Sequence, residues 1–246
     1  MKKIWPFLFV LCLFSSCEKD EGTSDGTADC KIQTMSFTVP GDSQGYDIEF
    51  TYDGSERLVK VVKTEYDIGD PYVVTYDIEY GSGNLVNRIT STSSFGYGNV
   101  YNFFGADGRI DSVSTHGVPH AETWTLRQMK FHYDGDKITE MVSYRYDAQS
   151  GNYIPSTTSF IWEGENLIQA GNQTFTYDDH PSALRHVGLA FAEYESYAIL
   201  SKNNLTSYNY GGGERTFSYT YNDNGYPATM NNGFNDGTVV FDYNCK

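Results

Sequence analysis

Along most of the chain, apolar and aromatic residues alternate with hydroxylic and charged ones at a period of two. Short turns rich in Asp, Gly and Asn cut the runs. Such alternation puts the two sets on opposite faces of a β-strand. One unit recurs: two or three alternating apolar positions, a turn, then a pair of aliphatic residues. Ile48, Phe50 and Tyr52, the turn Asp53-Gly54-Ser55, then Leu58 and Val61 form the first copy. Tyr76, Ile78 and Tyr80, the turn Gly81-Ser82-Gly83, then Leu85 and Ile89 form the second. Tyr101 to Phe104 with Gly105 to Gly108, Ile110 and Val113 make the third. Met129, Phe131 and Tyr133 with Asp134-Gly135-Asp136, Ile138 and Met141 make the fourth. Further copies open at Phe160, Phe175 and Phe217, and a half copy, Val240 to Tyr243, ends the chain.

Asp-Gly and Asn-Asp-Asn-Gly sequences supply the positive φ that tight hairpin turns require. Each unit therefore reads as a hairpin with one apolar face, and the whole as roughly 14 strands with almost no helical periodicity. An array of hairpins with one apolar face buries it by rolling into a barrel, folding into a sandwich or stacking as a solenoid. The expected fold class is all-β: an antiparallel up-and-down meander rolled into a barrel or barrel-like sheet, since closure removes exposed strand edges. One stretch, residues 180–207, interrupts the repeat. Leu184, Val187 and Phe191 stand at helical steps there, which predicts a short helix starting at Pro181. This insertion reads as a plug of the core or, alternatively, a lid over a cavity.

The first residues have a different character. Met1-Lys2-Lys3, an apolar run of 11 residues from Ile4 to Phe14, and Ser15-Ser16-Cys17 have the layout of a secretory signal peptide. The run is too short for a spanning helix, which needs about 20 residues. Phe14-Ser15-Ser16-Cys17 resembles the lipobox of bacterial lipoproteins, which implies a lipid on Cys17 and an anchor in a membrane. Glu18 to Asp29 is poor in apolar residues and reads as a flexible tether. The expected organisation is a signal peptide over 1–16, a tether over 17–29 and a single domain over 30–246.

Removing residues 1–16 takes away Lys2 and Lys3 and no acid, so 15 basic and 32 acidic residues remain, a balance of −17. That balance argues against nucleic acid and against anionic lipid surfaces as partners. Cys12 leaves with the signal peptide and Cys17 takes the lipid. Cys30 and Cys245 remain, and an oxidising compartment favours a disulfide between them over two free thiols. Among the histidines, His116 and His120 are four apart, but Pro119 lies between them; no metal and no cofactor is expected. Asp134-Gly135-Asp136 and the pair Glu163 and Glu165 read as turn residues. His-Glu-x-x-His and phosphate-loop motifs are absent, and no catalytic residue is assigned. Tyr72, Tyr97, Trp124 and Tyr153 fall outside the strongest core positions and could stack on sugars or peptides.

Tyr52-Asp53-Gly54 with Arg57-Leu58, and Gly108-Arg109-Ile110, look like degenerate copies of the YD repeat of bacterial Rhs-type shells. The lipobox, the tandem hairpins, Tyr177-Asp178-Asp179-His180-Pro181, Leu200-Ser201-Lys202-Asn203-Asn204 and Tyr243-Asn244-Cys245 resemble a Bacteroidetes-type family of secreted lipoproteins of unknown function with a porin-like fold. His180-Pro181 departs from that family's Asn-Pro. The resemblance implies an outer-membrane lipoprotein exposed at the cell surface, and no activity. The expectation for function is a monomeric, non-enzymatic binding module for an extracellular glycan, peptide or protein. A structural or assembly role in the envelope ranks second, and a carboxylate-dependent hydrolase third.

Overall fold

The computed structural model describes residues 29–41, 44–66, 70–81, 85–96, 98–105, 109–118, 125–147, 149–184, 200–231, 233 and 237–246. The stretches expected to be a signal peptide and a tether, with Cys17, lie outside them up to Asp29, as do Tyr97, His120, Trp124, His186, Val187 and Phe191. The chain forms 17 strand segments in one nearly closed, barrel-like antiparallel sheet. In order they are β1 (Cys30–Thr38), β2 (Gly45–Tyr52), β3 (Leu58–Tyr66), β4 (Tyr72–Tyr80), β5 (Val86–Ser93) and β6 (Gly98–Phe104). Then come β7 (Ser112–Val118), β8 (Thr125–Asp134), β9 (Lys137–Asp147), β10 (Asn152–Glu163), β11 (Asn166–Ala170) and β12 (Gln173–Pro181). The last are β13 (Asn203–Asn209), β14 (Glu214–Thr216), β15 (Ser218–Tyr221), β16 (Pro227–Asn231) and β17 (Thr238–Cys245).

Each ladder joins sequence neighbours, apart from β1 with β17. Two strands change partners part-way. β10 pairs with β9 through Asn152–Ser159 and with β11 through Phe160–Glu163. β14 pairs with β13 and β15 with β16, and only Phe217 separates them, so they act as one strand. Counting β14 and β15 together leaves 16 passes out of 17 segments. An even number is what an antiparallel meander needs if its first and last strands are to pair antiparallel. The sequence expectation was short of this chiefly because β1 carries no full copy of the repeat.

Inward-facing residues from β1 round to β17 form one apolar cluster. It includes Ile32, Phe50, Val61, Ile89, Met129, Ile138, Leu167, Tyr208 and Val239, all buried. Outward positions such as Glu49, Thr51, Lys60, Arg88, Lys130 and His132 are polar, the reverse of a strand facing lipid. The expected helix does not begin at Pro181. Pro181 instead ends β12 opposite Asn203, and Ser182 to Leu184 turn away. A strand end tolerates proline because the ladder no longer needs its N–H.

The barrel has two unlike ends. One, the terminal rim, carries Asp29 and Lys246, the tight turns after β2, β4, β8, β10 and β15, and both stems of the insertion. The other, the far rim, carries the connections after β1, β3, β5, β9, β11 and β13. Cys30 and Cys245 face each other in the β1–β17 register and are disulfide-bonded across 215 positions of sequence.

Candidate functional site

At the terminal rim the repeat explains itself. On β2, β4, β8, β10, β12, β15 and β17 an aromatic residue lies two positions after a core residue. Tyr52, Tyr80, Tyr133, Tyr177, Tyr219 and Tyr243 donate their hydroxyls to the carbonyls of Ile32, Leu58, Ile110, Leu167, Leu205 and Pro227, at 2.7–3.0 Å. Trp162 donates its indole N–H to Ile138 O at 2.7 Å. Turns join β2, β4, β8, β10 and β15 to the strand after each, and these bonds tie the aromatic's strand to the segment before it, so the rim is stitched round most of its circumference. Each neutral bond contributes about 1 kcal/mol. The third unit alone lacks the device. Its equivalent residue is Gly105, where a Cβ would come within 1.8 Å of Arg109 O, and Phe104 faces outward instead.

A second staple accompanies the first. Lys31, Arg109 and Lys137 donate to the carbonyls of Glu56, Gly135 and Gly164, the positive-φ residues of the next turns. Lys31, Arg57 and Arg109 also lie over the rings of Tyr52, Tyr80 and Tyr133, at 4.6–5.7 Å from their centres. The Tyr-Asp-Gly…Arg-Leu pattern is thus a rim-locking device. The half copy at the end of the chain is completed by Lys31-Ile32 at its beginning, and the disulfide stands where a turn joins the other units.

Beside the disulfide a cleft of about 410 Å³ opens between Lys31, Gln33, Tyr52, Glu56, Asn244 and Lys246. Glu56 holds a φ of 62°, in the turn position that Gly225 occupies with 79°. Its carboxylate bridges Lys246 and Lys31, which hold its pKa down to about 2. The acid therefore ties both chain ends to the first turn and has no proton to exchange near neutral pH.

The stems of the insertion meet in a polar network. Asp178 accepts from the backbone N–H groups of His180 and Asn204, the Asn204 amide and the Tyr221 hydroxyl. The His180 ring stacks on Tyr221 with centres 3.8 Å apart. Asp179 Oδ1 comes within 2.9 Å of His180 Nδ1. Ser201 and Asn204 are buried, and Ser201 Oγ receives Leu167 N–H. With both oxygens engaged, Asp178 serves as an anchor. Asp178→Ala leaves the Asn204 backbone N–H and the Tyr221 hydroxyl without this acceptor and is expected to cost about 3 kcal/mol in urea unfolding, with Asp178→Asn costing less.

Other residues singled out in the sequence are dispersed. Glu165 pairs with Lys202 at 2.6 Å, His132 lies 3.8 Å from Glu140 on the outer wall, and His116 sits 3.3 Å from Ser114 Oγ. Among the described residues no three His, Cys, Asp or Glu side chains converge as a metal-binding group.

The far rim is different in chemistry. Of the large apolar side chains that are exposed, Tyr66, Phe95, Tyr153, Ile154 and Tyr210 lie there. Phe95 is 72% exposed and stacks on Tyr72 with ring centres 5.7 Å apart. Tyr146 and Tyr153 pair at 5.4 Å across β9 and β10, where Asn152 to Ser156 are exposed. Of the aromatics flagged in the sequence, Tyr72 and Tyr153 belong to this crown. Phe95 was missed, although an aromatic at a turn tip, Ser94-Phe95-Gly96, is itself a signal.

No family model and no curated protein matches this chain. Among solved structures, it is similar to a porin-like protein from Bacteroides uniformis ATCC 8492, with a TM-score of 0.54 at 14% identity. The match covers 87% of this chain and 98% of that one. At that identity the likeness is one of fold, and it extends over nearly the whole of the other barrel.

Proposed function

We propose that this chain is a lipid-anchored envelope protein without catalytic activity, which presents the far rim of its barrel to extracellular ligands. The observation that carries the reading is polarity of the fold. Asp29, where the tether ends, lies at the terminal rim, and four of the five exposed aromatics among the described residues, Tyr66, Phe95, Tyr153 and Tyr210, lie at the opposite rim. A lipid on Cys17 followed by residues 18–29 allows a reach of at most about 40 Å. The anchor therefore turns the stitched rim to the membrane and the aromatic crown outward. Exposed apolar clusters of this kind mark interaction surfaces. The porin-like fold of the Bacteroides uniformis protein and the lipobox support an envelope location. The carboxylates argue for binding over hydrolysis, since Asp53, Glu56, Asp147 and Asp178 are engaged by neighbouring donors.

Cys17→Ala is expected to abolish palmitate labelling and release the protein from the membrane fraction. Protease added to intact cells is expected to cut the wild-type protein. Full membrane retention of the Cys17→Ala variant overturns the anchored reading.

A further inference from the structure

Part of the far rim is built as a row on the inner face of the sheet. Phe37 stands opposite Tyr46, Tyr46 opposite Glu65, and Glu65 opposite Tyr72, one residue on each of β1 to β4. Phe95 extends the row by stacking on Tyr72, and Phe37 stacks on Tyr46 with centres 5.1 Å apart. In the row beneath, Ile48, Lys63 and Val74 are in register. Lys63 is only 9% exposed. Its Nζ lies 2.5 Å from Glu65 Oε1 and 5.1 Å from the centre of the Tyr46 ring.

A buried ion pair is a poor way to stabilise a fold, because desolvation offsets the attraction and an apolar pair does as well. Between Ile48 and Val74 an apolar residue would fit the row. What Lys63 does accomplish is to hold a one-third-exposed carboxylate upright between two aromatic rings. Those rings belong to strands two apart, a separation of about 10 Å from strand spacings of about 4.8 Å. That span is comparable to a disaccharide. Ring faces suit the C–H faces of pyranoses, and a fixed carboxylate accepts from their hydroxyls.

We propose that Tyr46, Glu65, Tyr72 and Phe95 form a carbohydrate-binding subsite that takes a neutral glycan. Tyr46 and the Tyr72–Phe95 pair supply stacking platforms, and Glu65 is the acceptor between them. Neutrality follows from charge: the carboxylate in the site and the acidic balance of the chain repel polyanions. The proposal deepens, and rests on, the reading of the far rim as the ligand-binding end.

The test uses the purified mature protein against neutral glucan, mannan and xylan oligosaccharides, with polygalacturonate as the anionic comparison. One neutral class is expected to bind. Phe95→Ala, Tyr72→Ala and Glu65→Gln are each expected to weaken it at least about tenfold, with far-UV circular dichroism unchanged. Arg88→Ala, on the outer wall of the barrel, is expected to leave it as it was. Silence across the neutral panel, preference for polygalacturonate, or binding that survives all three substitutions overturns the proposal. A photo-crosslinking residue placed at 95 or 153 in cells separates the two failures. Polypeptide trapped there, with no glycan bound, removes the sugar and keeps the far rim as the contact face. No adduct at either position and no glycan removes both.

Discussion

Replacing Cys30 and Cys245 by serine will lower the unfolding free energy of the domain by up to about 5 kcal/mol, the chain-entropy value for so long a closure. The bond closes 215 positions of sequence, and it is the covalent link between the first and last strands of the sheet. Most other neighbouring pairs at the terminal rim are held by a turn, by an aromatic donor to a carbonyl, or by both; β5–β6 lacks the donor at Gly105, and β12–β13 is held by the Asp178 network. The β17–β1 seam has no turn. Its Tyr243 bond runs backward to Pro227, and the Tyr52 bond runs from β2 to Ile32. Without the disulfide, the backbone ladder, the Lys246 N–H to Asp29 O bond and the Glu56 bridge to Lys31 and Lys246 remain to close the seam. Urea unfolding of the oxidised, reduced and double-serine proteins measures the effect. A double-serine variant as stable as the oxidised protein would show that the ladder alone closes the barrel. A circular permutant that joins Lys246 to Asp29 through a short turn is expected to recover most of the loss in the serine background, since the termini already meet through Lys246 N–H and Asp29 O.

Alkaline pH will unfold the barrel in one cooperative step beginning just above pH 10. Burial raises the pKa of Tyr52, Tyr101, Tyr177, Tyr221 and Tyr243, and pushes Tyr80 up to about 12. Asp178, hydrogen-bonded to Tyr221, and Asp179 nearby add to the rise there. A phenol whose native pKa exceeds its unfolded value of about 10 is kept neutral by the fold. The stability it contributes is whole below pH 10 and is withdrawn as pH climbs toward the native value. Six such groups act in the same direction, and Tyr52, Tyr80, Tyr177 and Tyr243 lose with their protons the bonds that stitch the rim. Tyrosinate absorbance and far-UV circular dichroism should therefore change together. Tyrosinate formed gradually from pH 10 upward, with strand signal intact, would contradict this.

Much of the architecture is legible along the chain because a hairpin is a local object. Alternation, turn residues and aliphatic pairs are written within each repeat, and they yield an all-β meander with an apolar inner face. Phe50-Thr51-Tyr52 shows where such reading stops. Period two places Phe50 and Tyr52 on one face, yet only Phe50 is buried among core residues, while the Tyr52 hydroxyl reaches a carbonyl 20 residues back. That partner is set by which strands become neighbours. Likewise the far-rim row joins Phe37, Tyr46, Glu65 and Tyr72 from four strands, and no sequence spacing signals it.

From sequence alone come the repeat and its strand chemistry, because each depends on residues close together in the chain. Tertiary structure alone decided that the final half copy is completed by Lys31-Ile32, that Gly105 leaves one gap in the aromatic belt, and that most of the exposed aromatics lie at the rim opposite the chain ends. These depend on register and closure, which are properties of the whole sheet: one strand pairing, β1 with β17, brings the ends together and thereby orients everything else.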